Sequence, residues 1–307
     1  MKSSILFGNG INRLSSNSVP WSNLLSKLKG DMGFESKNTP NTMIYERIVL
    51  DRVHKRNCDI GDIELIETEV KNEIAHELAC QNSNEIYLEI ASLKLDNYMT
   101  TNYDYAFKNS LGDSIELINH STETIYSLRR YTSCQSKSNG NIKCKIWSIH
   151  GELDYPISIK LGLDHYCGSI GKIDSYIKGK YTFTSNEKLI KPISMKDKLS
   201  NNNFDGHSWV ELFFSSHVHI IGLSLDFSET DLWWVLDKRA RINSSGLVKN
   251  KIFCYVPNEI DEEKNGLLES LNVIVVSIPL LENNYYDFYK KAIKKIKSNI
   301  NKFDDTF

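Results

Sequence analysis

Ser3-Ser4-Ile5-Leu6-Phe7-Gly8-Asn9-Gly10 carries a short apolar run straight into a glycine-flanked turn. Periodicity alone does not separate a short apolar strand from a helical segment, but glycines on both sides of Asn9 favour a strand followed by a tight turn. Pro20-Trp21-Ser22-Asn23-Leu24-Leu25 then reads as a helix start, with Trp21, Leu24, Leu25 and Leu28 on one face. The strand-and-polar-tip pattern recurs along the chain. Residues 97–101 end at Asn102, 145–149 at His150-Gly151, 217–221 at Gly222-Leu223-Ser224-Leu225-Asp226, and 251–256 at Pro257-Asn258. Residues 114–119 and 272–278 complete the expected strands. Helical spacing fills residues 40–95 (Ile44, Ile48, Val49, then Ile66, Val70, Ile74, Leu78, then Ile86, Ile90), and returns over 231–241 and 283–300. Strands alternating with helices predict an α/β fold, a parallel sheet with helices on both faces.

Composition narrows the function classes. Hydrophobic residues make up 40% and charged residues 25%, which suits a packed domain rather than a disordered chain. Lys and Arg total 37 against 39 Asp and Glu, a net charge of −2, so electrostatics gives no reason to expect nucleic acid or an anionic membrane as partner. No apolar run approaches the ~18–20 residues of a spanning helix, and Gly8 interrupts the N-terminal run before a signal-peptide core develops. Cys58, Cys80, Cys134, Cys144, Cys167 and Cys254 include no Cys-x-x-Cys pair, so a zinc ribbon or redox dithiol has little support. The expectation is a soluble cytoplasmic protein with free thiols and no metal.

Ligands of parallel α/β sheets bind beyond the carboxyl ends of the strands. That rule directs attention to 8–12, 102–104, 150–151, 222–226 and 256–258. Each cluster also has a plain structural reading. Gly8-Asn9-Gly10 can be an ordinary turn, Thr101-Asn102-Tyr103-Asp104 a helix cap, and Asp226 or Ser228 the cap of the following helix. His150 can be a satisfied structural histidine, although imidazole is also the side chain best suited to move protons near neutral pH. His217 and His219 face one side of a strand, but no third ligand stands at a suitable spacing, so they read as packing residues.

Taken in order, Gly8-Asn9-Gly10-Ile11-Asn12 with Val19-Pro20-Trp21, Thr101-Asn102-Tyr103-Asp104, Ile149-His150-Gly151 and Gly222-Leu223-Ser224-Leu225-Asp226 resemble the sirtuin pattern. There a GAG-type loop, a TQNID-type segment, an HG pair and a GTS-type loop surround NAD+. The segments are most similar to those of bacterial sirtuin-like NAD+ hydrolase effectors of anti-phage defence (abortive infection), over roughly residues 1–280. Asn9 stands where the loop usually has Ala, and Asn12 where it has Ser. The GNG opening is also similar to that of another bacterial abortive-infection family. Sirtuin deacylases carry a four-cysteine zinc module that this cysteine spacing does not build, which leaves NAD+ cleavage rather than deacylation.

The resemblance implies a Rossmann-like NAD-binding domain over 1–280, with a helical insertion at about 40–95 and an irregular insertion at about 157–210, followed by a C-terminal helix within 281–307. It implies Asn102, His150 and Asp104 as catalytic residues. Gly8, Asn9, Gly10, Asn12, Thr101, Gly222, Ser224, Asp226 and Asn258 would contact NAD+, which is the substrate; no separate cofactor is implied. The alternative is a subunit that senses NAD+ or ADP-ribose, or a scaffold, without turnover. A toxic activity in a chain with no evident sensor region suggests activation by homo-oligomerisation or by a separate protein subunit. The apolar face of the C-terminal helix, with Tyr286, Phe288, Tyr289, Ile293 and Ile296, can close the core or dock on a neighbour; burial within the monomer is the default, and a toxic activity without its own sensor modestly favours docking.

Overall fold

A computed structural model describes residues 1–34, 39–56, 60–120, 125–185 and 187–304. Cys58 and the last three residues of the expected C-terminal segment lie outside the described residues. The strands are β1 (Ser3–Phe7), β2 (Asn97–Thr100), β3 (Ile115–His120), β4 (Tyr131–Ser136), β5 (Ile142–Ser148), β6 (Phe183–Ser185), β7 (Lys188–Ile190), β8 (His217–Ile221), β9 (Ile252–Pro257) and β10 (Val273–Ile278). The helices are α1 (Trp21–Lys29), α2 (Asn41–Arg56), α3 (Ile63–Leu78), α4 (Glu85–Ser92), α5 (Ala106–Asn109), α6 (Leu163–Ile177), α7 (Met195–Ser200), α8 (Leu212–Ser215), α9 (Thr230–Asn243), α10 (Glu262–Ser270) and α11 (Tyr285–Asp304).

Eight strands form one sheet in the order β10-β9-β8-β1-β2-β5-β4-β3, and β6 and β7 form a separate hairpin. From β10 to β5 every pair is parallel. Numbered along the chain from the β5 end, these strands run 3-2-1-4-5-6, the order of the dinucleotide-binding Rossmann sheet. The fold is therefore α/β and Rossmann-like.

Two features depart from the sequence reading. The strand expected at 114–119 is present as β3 but pairs with β4, a strand the reading missed, which runs antiparallel to both β3 and β5. Only residues 137–141, with Asn139-Gly140 in the turn, separate β4 from β5. A parallel return needs a crossover of a dozen or more residues, so this short link dictates a hairpin. The segment 157–210 is also not wholly irregular, because it contains the fifteen-residue helix α6. The buried side of α6 is His165, Tyr166, Ser169, Ile173, Tyr176 and Ile177. Small and polar residues in that stripe hid its period.

All residues of β1 and β8 are buried, as expected for central strands covered on both faces. Leu6 faces the layer of α6, α8 and α9, whereas Ile5 and Phe7 face α4, α5 and α11, following the two-residue period of a strand. His217 stacks on Phe303 at 3.8 Å and His219 on Phe253 at 5.1 Å. Burial pushes the two imidazoles down to about 4 and about 3, so both are neutral packing residues.

The helical stretch between β1 and β2 divides by packing. Helices α1, α2 and α3 share a core of their own with Tyr103, Ile159 and Leu161, whereas α4 lies on the sheet. Phe288, Tyr289, Ala292, Ile293 and Ile296 of α11 are buried against the sheet as well. That face closes the core of this chain, the first of the two roles open to it from sequence, and docking on a neighbour is not its role. Among the described residues no helix is long and apolar enough to cross a membrane.

Candidate functional site

In this strand order the chain leaves β1 for β2 on one side and reaches β9 from β8 on the other, so a crevice opens beyond the carboxyl ends of β1 and β8. A cavity of about 640 Å³ lies there. Asn9 and Gly10 line it from the loop after β1, Thr101 and Asn102 from that after β2, His150 from that after β5, and Gly222, Ser224 and Asp226 from that after β8. Trp21 and Thr42 approach from the α1–α3 unit, and Tyr289 from α11. Residues far apart in sequence share one wall because parallel strands deliver all their carboxyl ends to the same edge.

The loops after β1 and β8 lie back to back. The Gly8 N–H donates to the Ile221 carbonyl at 3.3 Å and the Gly10 N–H to the Gly222 carbonyl at 2.8 Å. A Cβ at Gly10 would stand 2.7 Å from both the Gly222 carbonyl oxygen and the Tyr289 hydroxyl. These glycines allow close loop contact, and their amides are engaged within the protein. Gly10 lines the cavity and Gly8 does not.

Behind the wall runs a hydrogen-bond network. Asn12 Nδ2 donates to Asp104 Oδ2 at 2.7 Å and to Asn9 Oδ1 at 2.9 Å, while Asn12 Oδ1 accepts from the Tyr87 hydroxyl at 2.6 Å. Asn102 Nδ2 donates to the Tyr87 oxygen at 3.1 Å. The amide orientation of Asn102 is thereby set, leaving its Oδ1 buried and without a hydrogen-bond partner in a residue that lines the cavity. An acceptor left bare in this way costs about 1–3 kcal/mol unless water or ligand pairs with it. Asp104 also accepts the Ala106 N–H at 2.9 Å in the turn that leads into α5, and burial raises its pKa. Asp104 and Asn12 brace the wall from behind and do not line the cavity.

His150 is 2% exposed and its Nε2 lies 3.2 Å from Asp231 Oδ1. His150 itself lines the cavity. Asp231 is fully buried in α9, where Ser169 donates to its Oδ2 at 3.2 Å and Lys160 Nζ lies 3.5 Å away. Burial alone would raise this carboxyl, but His150 and Lys160 outweigh it and hold it well below the usual carboxylate range. A carboxylate so placed fixes the imidazole's orientation and tautomer. Gly151 follows at φ +107°, and a Cβ there would stand 2.3 Å from the Ser158 carbonyl oxygen. The turn that presents His150 therefore requires glycine.

Sequence reasoning missed Asp231, Glu229, Tyr166 and Lys264. Tyr166 meets His150 edge to face at 5.5 Å. Glu229 lines the cavity with its Oε2 accepting the Asp226 N–H at 3.0 Å. Burial, Asp231 and Asp226 push its carboxyl up to about 8. One signal for Asp231 was legible: it stands on the stripe that α9 buries with Leu232, Val235 and Leu236, where an apolar residue is the ordinary choice.

The remaining expected residues divide. Asp226 lines the cavity, and its Oδ1 accepts from the Ser228 N–H at 2.9 Å in the turn before α9, whose N-cap is Glu229 and not the expected Asp226 or Ser228. The Ser224 carbonyl accepts from Lys264 Nζ at 2.8 Å. Asn258 does not line the cavity: its backbone N–H donates to Ile278 and its Oδ1 accepts the Leu280 N–H at 2.8 Å, which ties the ends of β9 and β10 together. Among the described residues no group of three or more His, Cys, Asp or Glu side chains is placed to hold a metal ion. No protein-family model and no curated protein matches the chain.

Proposed function

We propose that this chain is an NAD+ glycohydrolase that cleaves the nicotinamide–ribose bond and depletes NAD+ in anti-phage defence. The observation that carries the reading is the convergence of Asn102 and His150 at the switch point of a sheet in Rossmann order, with the Asn102 Oδ1 unpaired and His150 oriented by Asp231. The ordered motifs shared with sirtuin-like effectors support it.

In the proposed reaction the C1′–N bond breaks heterolytically and its electron pair returns to the ring, so nicotinamide departs neutral and needs no acid. A ribosyl cation remains, water adds to C1′, and one proton is released with ADP-ribose. Asn102 Oδ1 accepts from a ribose hydroxyl or from the attacking water, and the free nitrogen of His150 takes the proton. Activation by oligomerisation or by a separate protein subunit belongs to the same proposal, without α11 as its docking face.

Chromatographic nicotinamide release tests the reading, with Asn102→Ala and His150→Ala as controls and ADP-ribose-dependent melting as the check that each variant folds. NAD+ is consumed by the native chain and not by the variants. Intact NAD+ in every assembly state, with the genomic neighbour's product added, would overturn the proposal. A melting shift with ADP-ribose but no nicotinamide would instead identify a sensing subunit.

A further inference from the structure

Glu229 precedes α9 by one residue and lines the cavity together with Asn102, His150 and Tyr166. The Asp226 N–H holds one of its oxygens. The charged and titratable groups around it are Asp226 and Asp231 from its own segment, Lys264 from α10, Tyr103 after β2 and Tyr166 from α6. The only cation in that set, Lys264, donates to the Ser224 carbonyl. Asp231 has its charge compensated by His150 and Lys160; Glu229 has no ion pair among the described residues. An ionised Glu229 therefore needs a cation that the protein does not provide, and burial with two neighbouring carboxylates keeps the carboxyl protonated in the free protein at neutral pH.

Resting on the glycohydrolase reading, we propose that Glu229 is the counter-charge for the substrate's cationic ring: it releases its proton as the pyridinium of NAD+ binds and stays ionised while positive charge passes to the ribosyl carbon. The cavity is also lined by Arg13 and Lys264, so it offers both signs of charge. That matches a ligand with a cationic ring and an anionic diphosphate. Reduced NADH has the same diphosphate and an uncharged ring, which makes it the discriminating probe.

Calorimetry on the His150→Ala chain, which binds NAD+ without consuming it, reads the proton directly when the titration is repeated in buffers of different ionisation heat. At pH 7 NAD+ binding releases a proton, because a carboxyl pushed up to about 8 is still mostly protonated there. NADH and ADP-ribose release none. Adding Glu229→Gln abolishes the release and weakens NAD+ by about tenfold while ADP-ribose binds as before, which also shows that the variant folds. With His150 restored, Glu229→Gln lowers kcat/KM and Glu229→Asp recovers part of it. Equal proton release in the Glu229→Gln chain, or an unchanged preference for NAD+ over NADH, overturns the assignment. Proton-linked NAD+ binding by a native chain that never releases nicotinamide sinks the glycohydrolase reading and leaves Glu229 as the counter-charge. NAD+ cleavage unaffected by Glu229→Gln does the reverse, and absence of NAD+ binding removes both.

Discussion

Replacing Asp231 by Asn keeps the shape of a fully buried side chain and removes one charge. That charge faces Lys160 Nζ at 3.5 Å and His150 Nε2 at 3.2 Å. At an effective dielectric of 20 the Lys160 pair alone is worth about 5 kcal/mol of gross attraction. Removing one partner of a buried pair costs about 3–5 kcal/mol, because the other charge is left without compensation. Two features of this site reduce the loss: burial already lowers the Lys160 pKa, which lets the amine go neutral, and Lys160 keeps its 2.8 Å bond to Ser169. The expected cost is about 3 kcal/mol, or a fall in Tm of about 6 °C in a chain of this size.

The pH dependence gives the same prediction a second readout. The native Asp231 carboxyl titrates below its unfolded value, so the unfolded chain binds more protons as pH falls under about 4. The stability it contributes is present above that pH and lost progressively below it; Asp231→Asn flattens this acid limb. Denaturant titration and thermal melting from pH 3 to pH 7 measure both effects. A variant within about 1 °C of the native Tm, with the acid limb intact, would refute the charge assignment. Under the proposed function the variant also loses about a hundredfold or more in kcat, through the misoriented imidazole.

Glu229→Gln is expected to stabilise the protein. With the native carboxyl raised to about 8 and the unfolded one near 4.5, the folded state holds the extra proton and stability falls as pH rises through that window; the variant gains about 2–4 kcal/mol at pH 8 and little at pH 4, read by denaturation at both. Gly10→Ala places a methyl 2.7 Å from a backbone oxygen and costs about 1–3 kcal/mol by urea titration, with ADP-ribose binding weakened as the two loops separate. Chelators leave activity unchanged, and elemental analysis finds no stoichiometric zinc; one zinc per chain would overturn the cysteine argument.

Much of the site was legible because its residues sit at strand tips. The apolar runs at Ser3–Phe7 and His217–Ile221 matched the observed strands end to end, and the polar residues that break them line one cavity. Where the reading failed, local pattern was weak or short links governed. The strand β4 has only Tyr131 and Cys134 as apolar members, and α6 alternates apolar with small residues, so neither announced itself. Asn258 and Asp104 looked equivalent to Asn102, since a polar tip seen in sequence does not tell which way its side chain turns. Asn258 ties two strands together and Asp104 bonds Asn12 and the Ala106 N–H behind the wall, whereas Asn102 lines the cavity.

Sequence by itself determined the alternation of strand and helix, the glycine-bounded tips and the candidacy of Asn102 and His150, because these depend on residue type and near-neighbour spacing. Only the tertiary structure decided strand order, the engagement of the Gly8 and Gly10 amides, and the pairing of His150 with Asp231 across 81 positions of chain. It also decided the upward shift of the Glu229 carboxyl. A carboxyl's pKa is set by the charges and solvent around it, and Glu229 owes its own to burial and to carboxylates that the fold holds beside it.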